Sequence, residues 1–134
     1  MSDMTRTFLM RGDDLSGKRK IYRTVLTANK RAIASVRPGE ACREIDRSAR
    51  EHIDSEGYGE YFGHATGHGV GLNVHEKPSI SSKSSEIMTE GTVFTVEPGI
   101  YIPEVGGVRI EDMVALTNGR RKCLTALPKN LEIL

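Results

Sequence analysis

Apolar residues recur at helical spacing along one long stretch, as Ile21, Val25, Ala28, Ala32 and Val36, flanked by Tyr22, Leu26 and Ile33. The opposite face carries Arg19, Arg23, Lys30 and Arg37, the solvated side of an amphipathic helix. The turn Arg11-Gly12-Asp13-Asp14 precedes this helix and Pro38-Gly39 stops it. A second helix is predicted from near Glu40, an acid suited to the positive end of the helix dipole. Cys42, Ile45, Ala49 and Ile53 form its buried stripe, and Gly57 ends it. Cys42 therefore reads as core rather than nucleophile, and His52, off the stripe, as an exposed side chain.

Elsewhere the pattern shortens to period two. Met1 to Phe8 alternates loosely and is rich in threonine, which predicts a strand carrying Asp3. Thr92 to Glu97 is a β-branched run with strand character, and Pro98 forces Glu97 into extended backbone. Ile100 to Ile102 and Val108 to Leu116 are further predicted strands, separated by a turn over Pro103 to Gly107. Asn118-Gly119 signals a hairpin leading into Arg121 to Leu124. Lys77 to Ser85 reads as a polar loop, and the apolar tail Pro128 to Leu134 is expected to dock on the body. Together these elements predict two amphipathic helices and a set of short strands, an α+β composition.

Between helices and strands lies a stretch that fits neither period, Gly63-His64-Ala65-Thr66-Gly67-His68-Gly69-Val70-Gly71-Leu72-Asn73-Val74-His75-Glu76. Three of the chain's four histidines fall in it, among glycines that let backbone approach an ion or ligand closely. The bland reading is a glycine-rich turn with incidental histidines, but such clusters are seldom made for packing.

Composition changes this picture little. The 134 residues suit one domain with a real core, and 19 basic against 18 acidic residues leave a net charge of +1. With no long basic run, neither nucleic acid nor an anionic membrane surface is an expected partner. No apolar run is long enough to span a membrane, and the N-terminus lacks the pattern of a signal peptide. Cys42 and Cys123 are far apart and in no metal-binding spacing, which suits reduced thiols in the cytoplasm.

Carboxylates accompany the histidines. Side chains alternate along the strand from Val108, so Arg109 and Glu111 share a face, and Glu97 ends its own strand beside a proline. Charged groups in sheets are seldom buried unless paired or bound to metal. Either glutamate alone is explained by pairing with Arg109 at a sheet edge; together with Asp3 and His68, a metal site is the better reading. One imidazole and three carboxylates suit Mn²⁺, with Co²⁺, Zn²⁺ or Fe²⁺ as alternatives. Such a site favours metal-assisted amide hydrolysis, leaving His64 and His75 to orient substrate or move protons.

Four motifs in register carry a resemblance: Ser2-Asp3-Met4-Thr5-Arg6-Thr7, Gly67-His68-Gly69-Val70-Gly71 with Val74-His75-Glu76, Thr95-Val96-Glu97-Pro98-Gly99-Ile100-Tyr101, and Gly106-Gly107-Val108-Arg109-Ile110-Glu111-Asp112. The chain resembles the C-terminal part of the pita-bread metallopeptidases, the family of methionine aminopeptidase, aminopeptidase P and prolidase. The last two motifs resemble the proline-directed branch, Xaa-Pro aminopeptidases and Xaa-Pro dipeptidases, more than methionine aminopeptidase. The resemblance implies an α+β fold, the two amphipathic helices packed on a curved, mostly antiparallel sheet, and hydrolysis of Xaa-Pro bonds in short peptides by a metal-bound hydroxide. It implies that Asp3 and Glu111 bridge two metals, that His68 and Glu97 bind one of them, and that Glu97 also handles the hydroxide's proton. His64 and His75 match histidines that contact the substrate and its tetrahedral intermediate, and Arg109 a residue beside the site.

A further aspartate that binds the second metal in this family lies before the Asp3 position and is absent from these 134 residues. The expectation is one truncated catalytic domain over residues 1–134, holding one or two ions, with its activity in question. Self-association is expected to cover apolar surface that the rest of such a fold would bury. Two other readings stand beside this one. One is a non-catalytic pita-bread module that binds metal or peptide, and the other is a metal-free hydrolase resembling creatinase, against which Asp3, His68, Glu97 and Glu111 all count.

Overall fold

The computed structural model describes residues 1–134. Asp14 opens the first helix, α1 (Leu15–Ser35), its side chain accepting a 3.2 Å bond from the Gly17 N–H. A cap of this kind contributes about 1 kcal/mol. The predicted stripe is the buried face: Ile21, Val25, Ala28, Ala32 and Val36 all lie in the core. The second helix, α2 (Cys42–Ser55), buries Cys42, Ile45, Ala49 and Ile53 against it. Fully burying Ile45 and Ile53 contributes on the order of 1.5–3 kcal/mol each. His52 departs from expectation. It is half-buried, and burial, with the nearby Arg31 charge, lowers its pKa.

Seven short strands follow a single 3-10 turn at Gly59–Tyr61: β1 (Gly67–Gly69), β2 (Glu76–Ile80), β3 (Val93–Val96), β4 (Gly99–Ile102), β5 (Gly106–Arg109), β6 (Asp112–Thr117) and β7 (Arg120–Cys123). Five of them form one antiparallel sheet in the order β2-β1-β3-β6-β7, while β4 and β5 make a separate hairpin. Phe94, Val96, Val114 and Leu116 from the sheet, with Ile100 and Ile110, meet the helical stripes in one cluster. The β6–β7 turn has Asn118 at φ 53° and Gly119 at φ 69°, the left-handed pair that a two-residue hairpin requires.

Three sequence expectations are corrected. Val108 to Leu116 is not one strand; the chain leaves the hairpin after Arg109 and enters the main sheet at Asp112. Met1 to Phe8 makes an isolated pairing of Thr5 with Glu111 instead of a strand, because it crosses the point where the chain changes sheets. Lys77 to Ser85 contains the end of an edge strand, β2, where Pro78 is tolerated since an edge needs no inward N–H.

The histidine stretch contains β1, which no periodicity announced. Its glycines are there for close approach. A Cβ on Gly67 would overlap the Thr95 carbonyl oxygen, and one on Gly69 the Lys77 carbonyl oxygen.

Candidate metal centre

The chain passes from the main sheet to the hairpin at Glu97, between β3 and β4, and returns at Glu111, between β5 and β6. Backbone bonds hold both corners. The Glu97 N–H donates to the Thr66 carbonyl at 2.7 Å, and the Glu111 N–H donates to the Thr5 carbonyl at 3.1 Å. These corners break the alternation of the strands, so neither carboxylate lies on a regular sheet face. Both side chains are turned toward β1, where His68 sits, and Asp3 arrives on the segment paired to Glu111.

Donor atoms of Asp3, His68 and Glu111 all lie within 4.8 Å of one another. His68 Nε2 is 3.6 Å from Asp3 Oδ2 and 3.0 Å from Glu97 Oε1, so Glu97 joins the group through the same nitrogen. His68 Nδ1 lies 3.0 Å from the Gly69 carbonyl. A carbonyl can only accept, so Nδ1 is the donor in this contact, and Nε2 is the ring nitrogen that faces the carboxylates. The Thr95 hydroxyl donates to Glu97 Oε1 at 3.0 Å and accepts from the His68 backbone N–H at 3.1 Å.

Glu111 is 2 % exposed. Burial first, then the charges of Glu97 and Asp3, raise its pKa against the opposing Thr5 hydrogen bond and Arg109 charge. The Thr5 hydroxyl donates to Glu111 Oε2 and accepts from Arg109 Nε at 3.1 Å. Arg109 and Glu111 are thus neighbours through Thr5 and not through a shared strand face. Burial opposes the charge on Arg109, but a hydrogen bond with Tyr101 and the charges of Tyr101, Glu111 and Glu97 outweigh it and raise its pKa.

The two remaining histidines flank this cluster. His75 is exposed, its ring centroid 4.1 Å from that of His68. His64 Nδ1 lies 2.8 Å from the Ala65 carbonyl and its Nε2 2.8 Å from the Tyr101 hydroxyl. Tyr101 lies flat on its hairpin: a Cβ on Gly99 would stand 2.5 Å from its hydroxyl oxygen, and one on Gly107 2.7 Å from its ring. Sequence reasoning singled out none of Thr5, Thr95 and Tyr101 as site residues. The pair of glycines around Tyr101 was the one available signal.

Three comparisons with known proteins bear on this arrangement. The model of metallopeptidase family M24 matches residues 1–118. The chain belongs to metallopeptidase family M24. An Xaa-Pro dipeptidase of Pyrococcus furiosus is 49% identical over 130 residues, covering 97% of this chain and 37% of the relative. A dipeptidase of Pyrococcus horikoshii superposes with a TM-score of 0.95 at 45% identity, covering 98% of this chain and 37% of that one. An X-Pro aminopeptidase of Thermotoga maritima gives a TM-score of 0.91 at 40% identity, covering 99% of this chain and 38% of that one. The fold is therefore the pita-bread portion that the motifs implied, and the chain spans about 37% of the length of the M24 relatives it matches.

Proposed function

We propose that this chain carries a metallopeptidase centre directed at Xaa-Pro bonds, with Asp3, His68, Glu97 and Glu111 as ligands of a divalent ion. The observation that carries this reading is the convergence of Asp3, His68 and Glu111 donor atoms within 4.8 Å, with Glu97 3.0 Å from the same imidazole nitrogen. The donor set fits such an ion: burial first, and then the charges of Glu97 and Asp3, raise the Glu111 pKa, and a dication offsets both the buried charge and the repulsion. Oxygen-rich donors with a single imidazole favour manganese, with cobalt, zinc or iron acceptable to the same atoms.

When bound, a divalent ion supplies Lewis acidity and brings the pKa of its water toward neutrality. Each protein group then has a separate task. Glu97 accepts the proton of the attacking water, and the Thr95 hydroxyl fixes which of its oxygens faces His68. His64 presents Nε2, since Nδ1 is turned to the Ala65 carbonyl, and with the Tyr101 hydroxyl 2.8 Å from that nitrogen it forms a polar pair for the developing oxyanion. The exposed imidazole of His75 offers a second contact, and Arg109 a fixed positive charge beside the substrate.

The test is elemental analysis after manganese loading, with Glu97→Ala as control. About one ion per chain, lost in the variant, and turnover of Ala-Pro are the expected results. An absence of bound metal in the unmodified chain overturns the reading. Metal without turnover favours the non-catalytic binding module instead. The proposal includes self-association through exposed Phe8, Met10 and Val105, which line one apolar groove. Sedimentation at the mass of the 14.8 kDa monomer would exclude that part.

A further inference from the structure

The segment that presents His64 has no regular secondary structure; it runs from the 3-10 turn at Gly59–Tyr61 to β1 at Gly67. Something outside the segment must therefore hold it. The holder is an ion pair on α2 that no part of the proposed chemistry uses. Asp46 is 1 % exposed, one helical turn before Arg50. Arg50 Nε donates to Asp46 Oδ2 at 2.9 Å and one Arg50 terminal nitrogen to Oδ1 at 2.8 Å, a two-pronged bond.

The guanidinium does more than pair. Its other terminal nitrogen donates to the Phe62 carbonyl at 2.9 Å, and the nitrogen shared with Asp46 also donates to the His64 carbonyl at 2.8 Å. Its central carbon lies 4.1 Å from the centroid of the Phe62 ring, whose own plane meets the His64 ring edge-on at 5.1 Å between centroids. Asp46 Oδ1 in turn accepts from the buried Thr66 hydroxyl at 2.8 Å, and the Thr66 carbonyl accepts the Glu97 N–H. One ion pair thus fixes the segment at Phe62, His64 and Thr66, on both sides of Ala65.

We propose that Asp46 and Arg50 are positioning residues for His64, locking the backbone from which its imidazole reaches the substrate. The proposal deepens the peptidase reading and rests on His64 facing substrate. It needs an arginine in particular. A lysine keeps the charge beside Asp46 but cannot span two carboxylate oxygens and two carbonyls at once. Positional error in a contact that stabilises a transition state lowers turnover more than it weakens substrate binding.

The test uses Arg50→Lys together with the neutral pair Asp46→Asn/Arg50→Gln. The second variant removes both charges, so no buried carboxylate is left unpaired if the first fails to fold. Imidazole signals of His64 in the metal-free chain are read by NMR and assigned with His64→Gln. In parallel, manganese content and kcat and KM on Ala-Pro are measured. The expected result is a His64 signal shifted or broadened toward that of a free histidine, with His68 signals and manganese content unchanged. With it goes a fall in kcat of about ten-fold or more and little change in KM. An unmoved His64 signal in a folded variant overturns the proposal. If the unmodified chain turns over no Xaa-Pro substrate, the peptidase reading fails on its own, and the imidazole signal still decides whether Asp46 and Arg50 hold His64.

Discussion

Thr5 is the residue on which the two sides of the centre meet. Its hydroxyl donates to Glu111 and accepts from Arg109, so Thr5→Val removes both bonds at almost constant volume. Groups that orient a metal ligand are worth about 10–100-fold in metal affinity. The expected outcome is a loss of that size in a calorimetric manganese titration, with a folded far-UV spectrum retained. Nothing in Thr5 as a letter distinguishes it from Thr7, whose hydroxyl accepts from the Arg109 N–H and donates to the Arg109 carbonyl. Cys42 is the opposite case, legible from its place on the α2 stripe. Burial, with the Glu86 charge, pushes its thiol up to about 11, while Cys123 is exposed. A thiol reagent at mildly alkaline pH should label Cys123 alone in the native chain and both cysteines after denaturation. Prompt labelling of both would place Cys42 outside the core.

At the scale of elements, the helices were readable because a helix needs only its own apolar period to declare which face is buried. The strands were less so, because two of them are defined by their neighbours. β1 is three residues of glycine and histidine, and it is a strand only because β2 and β3 pair with it on either side. The glycines make that pairing close enough to place His68. Gly67→Ala should cost several kcal/mol, since its new methyl group meets a rigid carbonyl oxygen of β3 instead of a flexible side chain. The check is denaturant unfolding with metal content on the soluble fraction. A variant of unchanged midpoint would mean that β1 and β3 separate more easily than their contact suggests. The break at Ile110-Glu111 was hidden for a related reason: β-branched residues run through it, and only the change of partner from β4 to β3 ends one strand and begins the next.

For the whole molecule, Asp112 ties together pieces far apart in sequence. Fully buried, it accepts from Arg6 at 2.7 Å, Thr125 at 2.6 Å, Lys129 at 2.8 Å and Asn29 at 3.2 Å. Burial alone would raise its pKa; the hydrogen bonds of Lys129, Thr125 and Arg6 outweigh that and lower it. Its contribution to stability is therefore complete above the ordinary aspartate value of 3.8 and is lost as pH falls through the lower folded value. Asp112→Ala removes the one carboxylate on which Arg6, Lys129, Thr125 and Asn29 converge, leaving two cations without a counter-charge there, and should cost about 3–5 kcal/mol, read as a lowered thermal midpoint at neutral pH. A shift below about 1 kcal/mol would show that water replaces the carboxylate.

The sequence by itself determined the two helices and their buried faces, the β6–β7 turn at Asn118-Gly119, and the donor types of the centre. Each of these depends on local period, local backbone preference or side-chain chemistry. Only the tertiary structure decided where the strands break, that Glu97 and Glu111 occupy the two sheet-changing corners, and that Thr5, Tyr101, Asp46 and Arg50 connect the site residues. Those are contacts between segments distant along the chain, and no local pattern encodes which partner a hydroxyl or guanidinium will meet.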